Sequence, residues 1–94
     1  MNDEITGRYA VTLEVEVSRE VGAGILADYE RYFRQNNIDK NDLHNSDVAL
    51  YWKLVGLHDD LFLCDTIDEV NKIKTTFNNA REHIKEIRKS AEVR

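Results

Sequence analysis

From Tyr9 to Val17 apolar and polar positions alternate: Tyr9, Val11, Leu13, Val15 and Val17 are separated by Ala10, Thr12, Glu14 and Glu16. A period of two held this long predicts a half-buried β-strand over 8–17. Ser18 follows with a hydroxyl able to accept a first-turn N–H, and Glu20 stands where the positive end of a helix favours an acid. The spacing of Val21, Ile25, Leu26, Tyr29, Tyr32 and Phe33 then predicts an amphipathic helix over 21–35, weakened at its start by Gly22 and Gly24. The polar run from Asn36 to Asp47 has no period and reads as a loop.

Val48 to Cys64 supports two readings. VALYWKLV and LFLC around GLHDD make a hairpin, with Gly56, Asp59 and Asp60 in its turn. As a helix, the segment would be capped by Asn45 or Ser46 and carry a stripe of Leu50, Leu54, Leu57 and Leu61. That helix would be apolar almost all round, and a strand over 8–17 needs partners, so the hairpin over 48–64 is preferred. The last element is a helix over 66–92. Asp65 or Thr66 caps it, Thr66 and Glu69 have capping-box spacing, and Asp68 suits its first turn. Along it Ile73, Phe77, Ala80, Ile84, Ile87 and Ala91 recur at alternating steps of four and three, a heptad seam.

The expected fold is therefore α+β: a small sheet of strand 8–17 and hairpin 48–64, packed by helix 21–35 and the long C-terminal helix. It forms one domain, 1–94, with residues 1–7 flexible. Val11, Leu13, Val15, Ile25, Phe33, Trp52, Phe62, Val70, Ile73 and Phe77 are the expected core. A helix from Thr66 to Glu92 is about 40 Å long, against a diameter of roughly 32 Å for a compact chain of this size. The segment 66–94 should overhang, leaving Ile84, Ile87 and Ala91 in need of a surface. A second copy, in a homodimer, is the simplest one.

The order strand, helix, loop, capped helix also resembles the ribbon-helix-helix repressors. The resemblance rests on TLEVEVSREV, with Leu13, Val15 and Val17 inward, and covers about half the chain. It implies a mostly α chain whose N-terminal strand pairs across a dimer and reads DNA with its outward residues. Here those are Thr12, Glu14 and Glu16, and carboxylates oppose the attraction to phosphates on which DNA affinity rests. Nucleic acid is thus disfavoured as a partner.

Composition narrows the class. With 41% hydrophobic and 33% charged residues the chain should fold as a globular domain. The start MNDEITGRYA lacks the pattern of a signal peptide, no apolar run approaches a bilayer span, and one cysteine, Cys64, makes no internal disulfide; the expectation is a cytoplasmic protein away from membranes. The net charge of -5 divides into an acidic body and a basic tail, a division that the macrodipole of the last helix accommodates. Glu14, Glu16, Glu20, Asp28 and Glu30 could present an acidic face that mimics DNA, but this charge is mild for that role and suits solubility better.

Candidate chemistry is sparse. GAG at 22–24 lacks the spacing and the lysine of a nucleotide loop. His58, Asp59 and Asp60, even with His44, point different ways from a turn and make a poor metal site. Cys64 lies in an apolar run, which raises rather than lowers a thiol pKa. Glu14 and Glu16 share an exposed face, with no burial to split their pKa values into acid and base roles. The expectation is no cofactor, no metal and no enzyme. It is a small regulator, inhibitor or adaptor of phage or mobile-element scale that acts through protein–protein contacts. Glu14 and Glu16 on the strand, with Arg81, Ile84, Lys85, Ile87 and Arg88 on the last helix, are the expected partner-binding residues.

Overall fold

The computed structural model describes the backbone of residues 3–93 and the side chains of residues 9–89. These form three helices, α1 (Asp3–Gln35), α2 (Ser46–Asp60) and α3 (Ile67–Val93), with a 3₁₀ turn at Leu61–Leu63. No strand occurs among the described residues, and no helix among them is long and apolar enough to cross a membrane.

The α+β expectation is overturned, because both the segment 8–17 and the segment 48–64 are helical. A mostly α chain is correct, without the N-terminal strand of the ribbon-helix-helix arrangement. The reason lies in α1. Its inward positions are Val11, Val15, Ser18, Gly22, Ile25, Tyr29 and Phe33, steps of four and three throughout most of the helix, which is the repeat of a packed helical seam. Ser18 and Gly22 carry no hydrophobic signal, so the alternation through Val17 is the stronger local pattern. Two of its five apolar positions, Val11 and Val15, belong to the seam; the other three, Tyr9, Leu13 and Val17, lie outside it.

The seam of α1 meets the seam of α3, where Ile73, Phe77, Ala80 and Ile84 are all buried. The two helices run parallel: Glu14 pairs with Lys74, Gly22 faces Phe77, and Tyr29 reaches Ala80. Small residues sit opposite large ones. A Cβ at Gly22 would lie 2.8 Å from Phe77 Cε2, and the Tyr29 hydroxyl donates to the Ala80 carbonyl at 2.8 Å. Packing of this kind needs ring and bare backbone to interlock at close range.

α2 runs back between them, with Tyr32 near Asp47 at one end and Arg19 against His58 at the other. Asn45 caps it, accepting from Asp47 N at 2.9 Å and Val48 N at 3.3 Å. Its broad apolar surface is used: Val48, Tyr51 and Leu54 are buried, and Leu50, Val55 and Leu57 pack around them, because α2 faces both neighbours. Three expected core residues are instead exposed, Leu13 at 44%, Trp52 at 42% and Phe62 at 68%. Trp52 covers the loop, donating from Nε1 to the Lys40 carbonyl at 2.7 Å. Tyr29, Tyr51, Leu54 and Leu61 take their places in the core.

The helix ends follow local chemistry. Asn37 adopts φ 55° after α1, with Ile38 N donating to Phe33 O at 2.8 Å and Asn37 N to Arg34 O at 3.4 Å, a left-handed C-terminal cap. At the start of α3, Glu69 N donates to Thr66 Oγ1 at 3.2 Å and Asp65 N to Glu69 Oε2 at 2.9 Å, the reciprocal pattern of a capping box. The molecule is a rod of 58 × 27 × 16 Å. α1, at 33 residues and hence about 50 Å, sets its length.

Two glycines sit inside helices with no atom within 4 Å of a built Cβ, Gly24 in α1 and Gly56 in α2. Alanine at either position is expected to stabilise the chain by about 1 kcal/mol through helix propensity alone. Thermal melts should rise by about 4–8 °C for each; no rise would show that the helix is interrupted there.

Candidate protein-binding surface

The residues left outside the seam of α1 form a surface of their own. Tyr9, Leu13, Val17 and Val21 follow one another at intervals of four, so they line one side of the helix. Their exposures are 67%, 44%, 51% and 37%. Single exposed apolar residues are ordinary, but four aligned over about 18 Å of one helix make a continuous stripe. Exposed Glu16 and Glu20 lie beside it, and half-buried Glu14 is held by Lys74 at 3.0 Å.

A second exposed apolar feature flanks α1 at the α2–α3 turn, where Phe62 and Leu63 are 68% and 75% exposed. The Arg19 guanidinium lies 3.8 Å from the centre of the Phe62 ring, in stacking range for a cation on an aromatic face. Arg19 Nη1 donates to the His58 carbonyl at 2.6 Å, and His58 Nε2 is 3.0 Å from the Arg19 carbonyl. A carbonyl only accepts, so His58 Nε2 is the donor in this contact. The pair fixes the turn against α1 and occupies the histidine.

Metal and thiol chemistry find no support in the geometry. Among the described residues no group of three or more His, Cys, Asp or Glu side chains is placed to hold a metal. Burial pushes the Cys64 thiol pKa up, and Glu69, Asp60 and Asp65 act in the same direction. A thiolate nucleophile needs the opposite environment.

Asp47 ties the upper end together. Its carboxylate takes His83 Nε2 at 2.9 Å and lies 3.5 Å from the Tyr32 hydroxyl, joining all three helices. Tyr29, fully buried beside this group, has its pKa pushed up to about 12, by burial first and then by Asp47 and Tyr32. The unfolded chain ionises tyrosine near pH 10, so between about pH 10 and 12 only the folded state keeps the Tyr29 proton. Stability is complete below pH 10 on this account and falls by roughly 2–3 kcal/mol as pH rises to 12. Tyr32 and Tyr51, also raised by burial, add in the same sense. Urea unfolding from pH 9 to 12 should show the decline. Tyr29→Phe should begin about 1 kcal/mol lower, through the lost bond to Ala80, and fall less steeply.

The sequence-expected partner-binding residues are dispersed. Glu14 and half-buried Arg81 both lie along the boundary of α1 and α3, and Arg81 Nη2 donates to Asn78 Oδ1 at 3.0 Å. Glu16 is exposed beside the stripe. Ile84 is 1% exposed within the chain's own core, and Ile87 packs half-buried against it. Lys85 and Arg88 are exposed on α3, with Lys85 3.5 Å from Glu82. The Ala91 side chain lies outside the described residues. The stripe of Tyr9, Leu13, Val17 and Val21 escapes a strand-based reading altogether. Its signal is the apolar remainder once a helical seam through Ser18 and Gly22 is assigned.

Residues 7–87, all but the two ends of the chain, match the model of a family described as bacterial epsilon antitoxin. No curated protein and no solved structure matches the chain.

Proposed function

The chain belongs to the bacterial epsilon antitoxin family, and on that premise we propose that it binds a toxin protein and holds it inactive. The observation that carries this reading is the exposed stripe of Tyr9, Leu13, Val17 and Val21. An antitoxin acts by stable contact, and stable contact needs an apolar centre that the free protein leaves uncovered. The stripe supplies one on a helix held rigid by its own seam, so little ordering is needed on binding. Glu16 and Glu20 at its side provide a polar, acidic rim, to which basic groups on the toxin are complementary. The role asked of the chain is inhibition by occupation, with no catalytic step of its own.

Expression of the genes adjacent to this one, each with and without the chain, tests the reading. One gene product is expected to arrest growth alone, to lose that effect beside the chain, and to co-purify with it at fixed stoichiometry. Growth arrest by no neighbour, or arrest that persists beside the chain, would remove the antitoxin reading.

A further inference from the structure

We infer that the toxin contact runs from the stripe on α1 across to Phe62 at the α2–α3 turn, and that a lysine or arginine of the toxin lies in the groove between them, its charge against Glu16 and Glu20. The inference rests on the antitoxin reading and extends it, in area and in the chemistry required of the partner. An open groove of about 600 Å³ separates α1 from the turn. Val17, a member of the stripe, lines it from α1, and Phe62 lines it from the turn. Small-molecule sites enclose most of their ligand. A trough that joins two exposed apolar features is instead covered whole by one protein surface.

Phe62 is a prepared anchor. Its ring lies 3.8 Å from the Arg19 guanidinium, and that guanidinium is itself held, donating to the His58 carbonyl at 2.6 Å. Aromatic side chains concentrate at the centres of protein interfaces. One already fixed in place loses little freedom when a partner covers it. Leu63 beside it is exposed as well and enlarges the apolar area at the turn.

Glu16 and Glu20 decide what the partner must carry. At 3.6 residues per turn they stand on α1 between the line of Leu13 and Val17 and the position of Arg19. Both are exposed and line the groove, and neither forms a hydrogen bond or ion pair among the described residues. One turn apart, they are like charges at a spacing that mildly destabilises the free helix. A protein that covers both the stripe and Phe62 takes them out of water, and a desolvated carboxylate without a partner is costly. Arg19, the groove's own cation, is turned to Phe62 and His58 and pairs with neither. The compensating charge must come from the toxin. A long basic side chain meets both demands of the groove, its apolar stem on Val15, Val17 and Phe62 and its charged end at the carboxylates.

The test uses the full-length chain and the toxin that it neutralises, with affinity measured by calorimetry and folding checked by thermal melts. Phe62→Ala is expected to weaken binding about 10- to 100-fold, and Glu16→Gln with Glu20→Gln about 30-fold or more, without lowering the melting temperature. Leu13→Asp, on the stripe but outside the groove, reports on docking separately. Loss of binding for Leu13→Asp with wild-type affinity for Phe62→Ala would overturn the groove and leave the antitoxin reading standing. Amide hydrogen exchange needs no substitution: bound toxin should slow it at residues 61–66 as well as along α1, and unchanged exchange at 61–66 overturns the contact with the turn. The charge is tested by selecting toxin changes that restore binding to the chain carrying Glu16→Lys and Glu20→Lys. Restoration by replacing a toxin Lys or Arg with Asp or Glu supports the basic occupant; restoration only at non-basic toxin positions overturns it.

Discussion

Replacing Gly22 by leucine is expected to destabilise the chain by about 3 kcal/mol or more, and replacing it by alanine by about 1 kcal/mol, even though alanine is the better helix former by about the same amount. The site explains the sign. A Cβ there would meet Phe77 Cε2 at 2.8 Å on one side and His58 Cδ2 at 3.1 Å on the other. Phe77 is 1% exposed and cannot swing clear, and His58 is fixed through its contacts with Arg19. At position 22 side chains of both other helices therefore press on the α1 backbone, and any side chain added there must force Phe77 and His58 back. For a domain of this size the leucine variant should melt more than about 12 °C lower. Gly24→Ala, the same exchange two residues away in open space, should move the other way. A double-mutant cycle of Gly22→Ala with Phe77→Leu isolates the contact and should return a coupling of about 0.5–3 kcal/mol. An alanine at position 22 that stabilises as much as one at 24 would rule out the close approach.

The same glycine shows why the N-terminal half was illegible. A helical seam announces itself through apolar residues at steps of three and four, and here two consecutive seam positions are Ser18 and Gly22, which read locally as a helix cap and a helix breaker. The value of Gly22 is steric and appears only opposite Phe77. The second segment misleads for the converse reason. Val48 to Leu61 is apolar on more sides than a surface helix should be, and the excess is used because α2 packs on two helices at once. What sequence chemistry does carry is local. The Thr66 and Glu69 pair forms its bonds at the start of α3, Asn45 caps α2, and Ile73, Phe77, Ala80 and Ile84 share a buried face. Only the identity of the surface that covers that face, α1 of the same chain, needed tertiary information. The stripe on α1 was hidden by the same error, since a strand would have turned Leu13 and Val17 inward.

That stripe carries the largest expected effect on function. Leu13→Asp and Val17→Asp together should abolish toxin neutralisation, and each alone should weaken binding by about 100-fold, which corresponds to about 2.7 kcal/mol. Full burial of a leucine or valine contributes about 1.5–3 kcal/mol, and here part of that area is already covered in the free protein. The remainder of the effect comes from the carboxylate, which a dry interface leaves without a partner. Stability should change by less than about 1 kcal/mol, because both side chains face outward and aspartate costs a helix only tenths of a kcal/mol relative to the residues replaced. That separation of affinity from melting temperature distinguishes a lost contact from a lost fold. Tyr9→Ala should also weaken binding, since tyrosine is among the side chains that anchor interfaces. Lys85→Glu and Arg88→Glu, exposed on α3, probe the alternative face. Loss of binding in that pair, with the stripe variants unaffected, would move the toxin from the outer side of α1 to the outer side of α3.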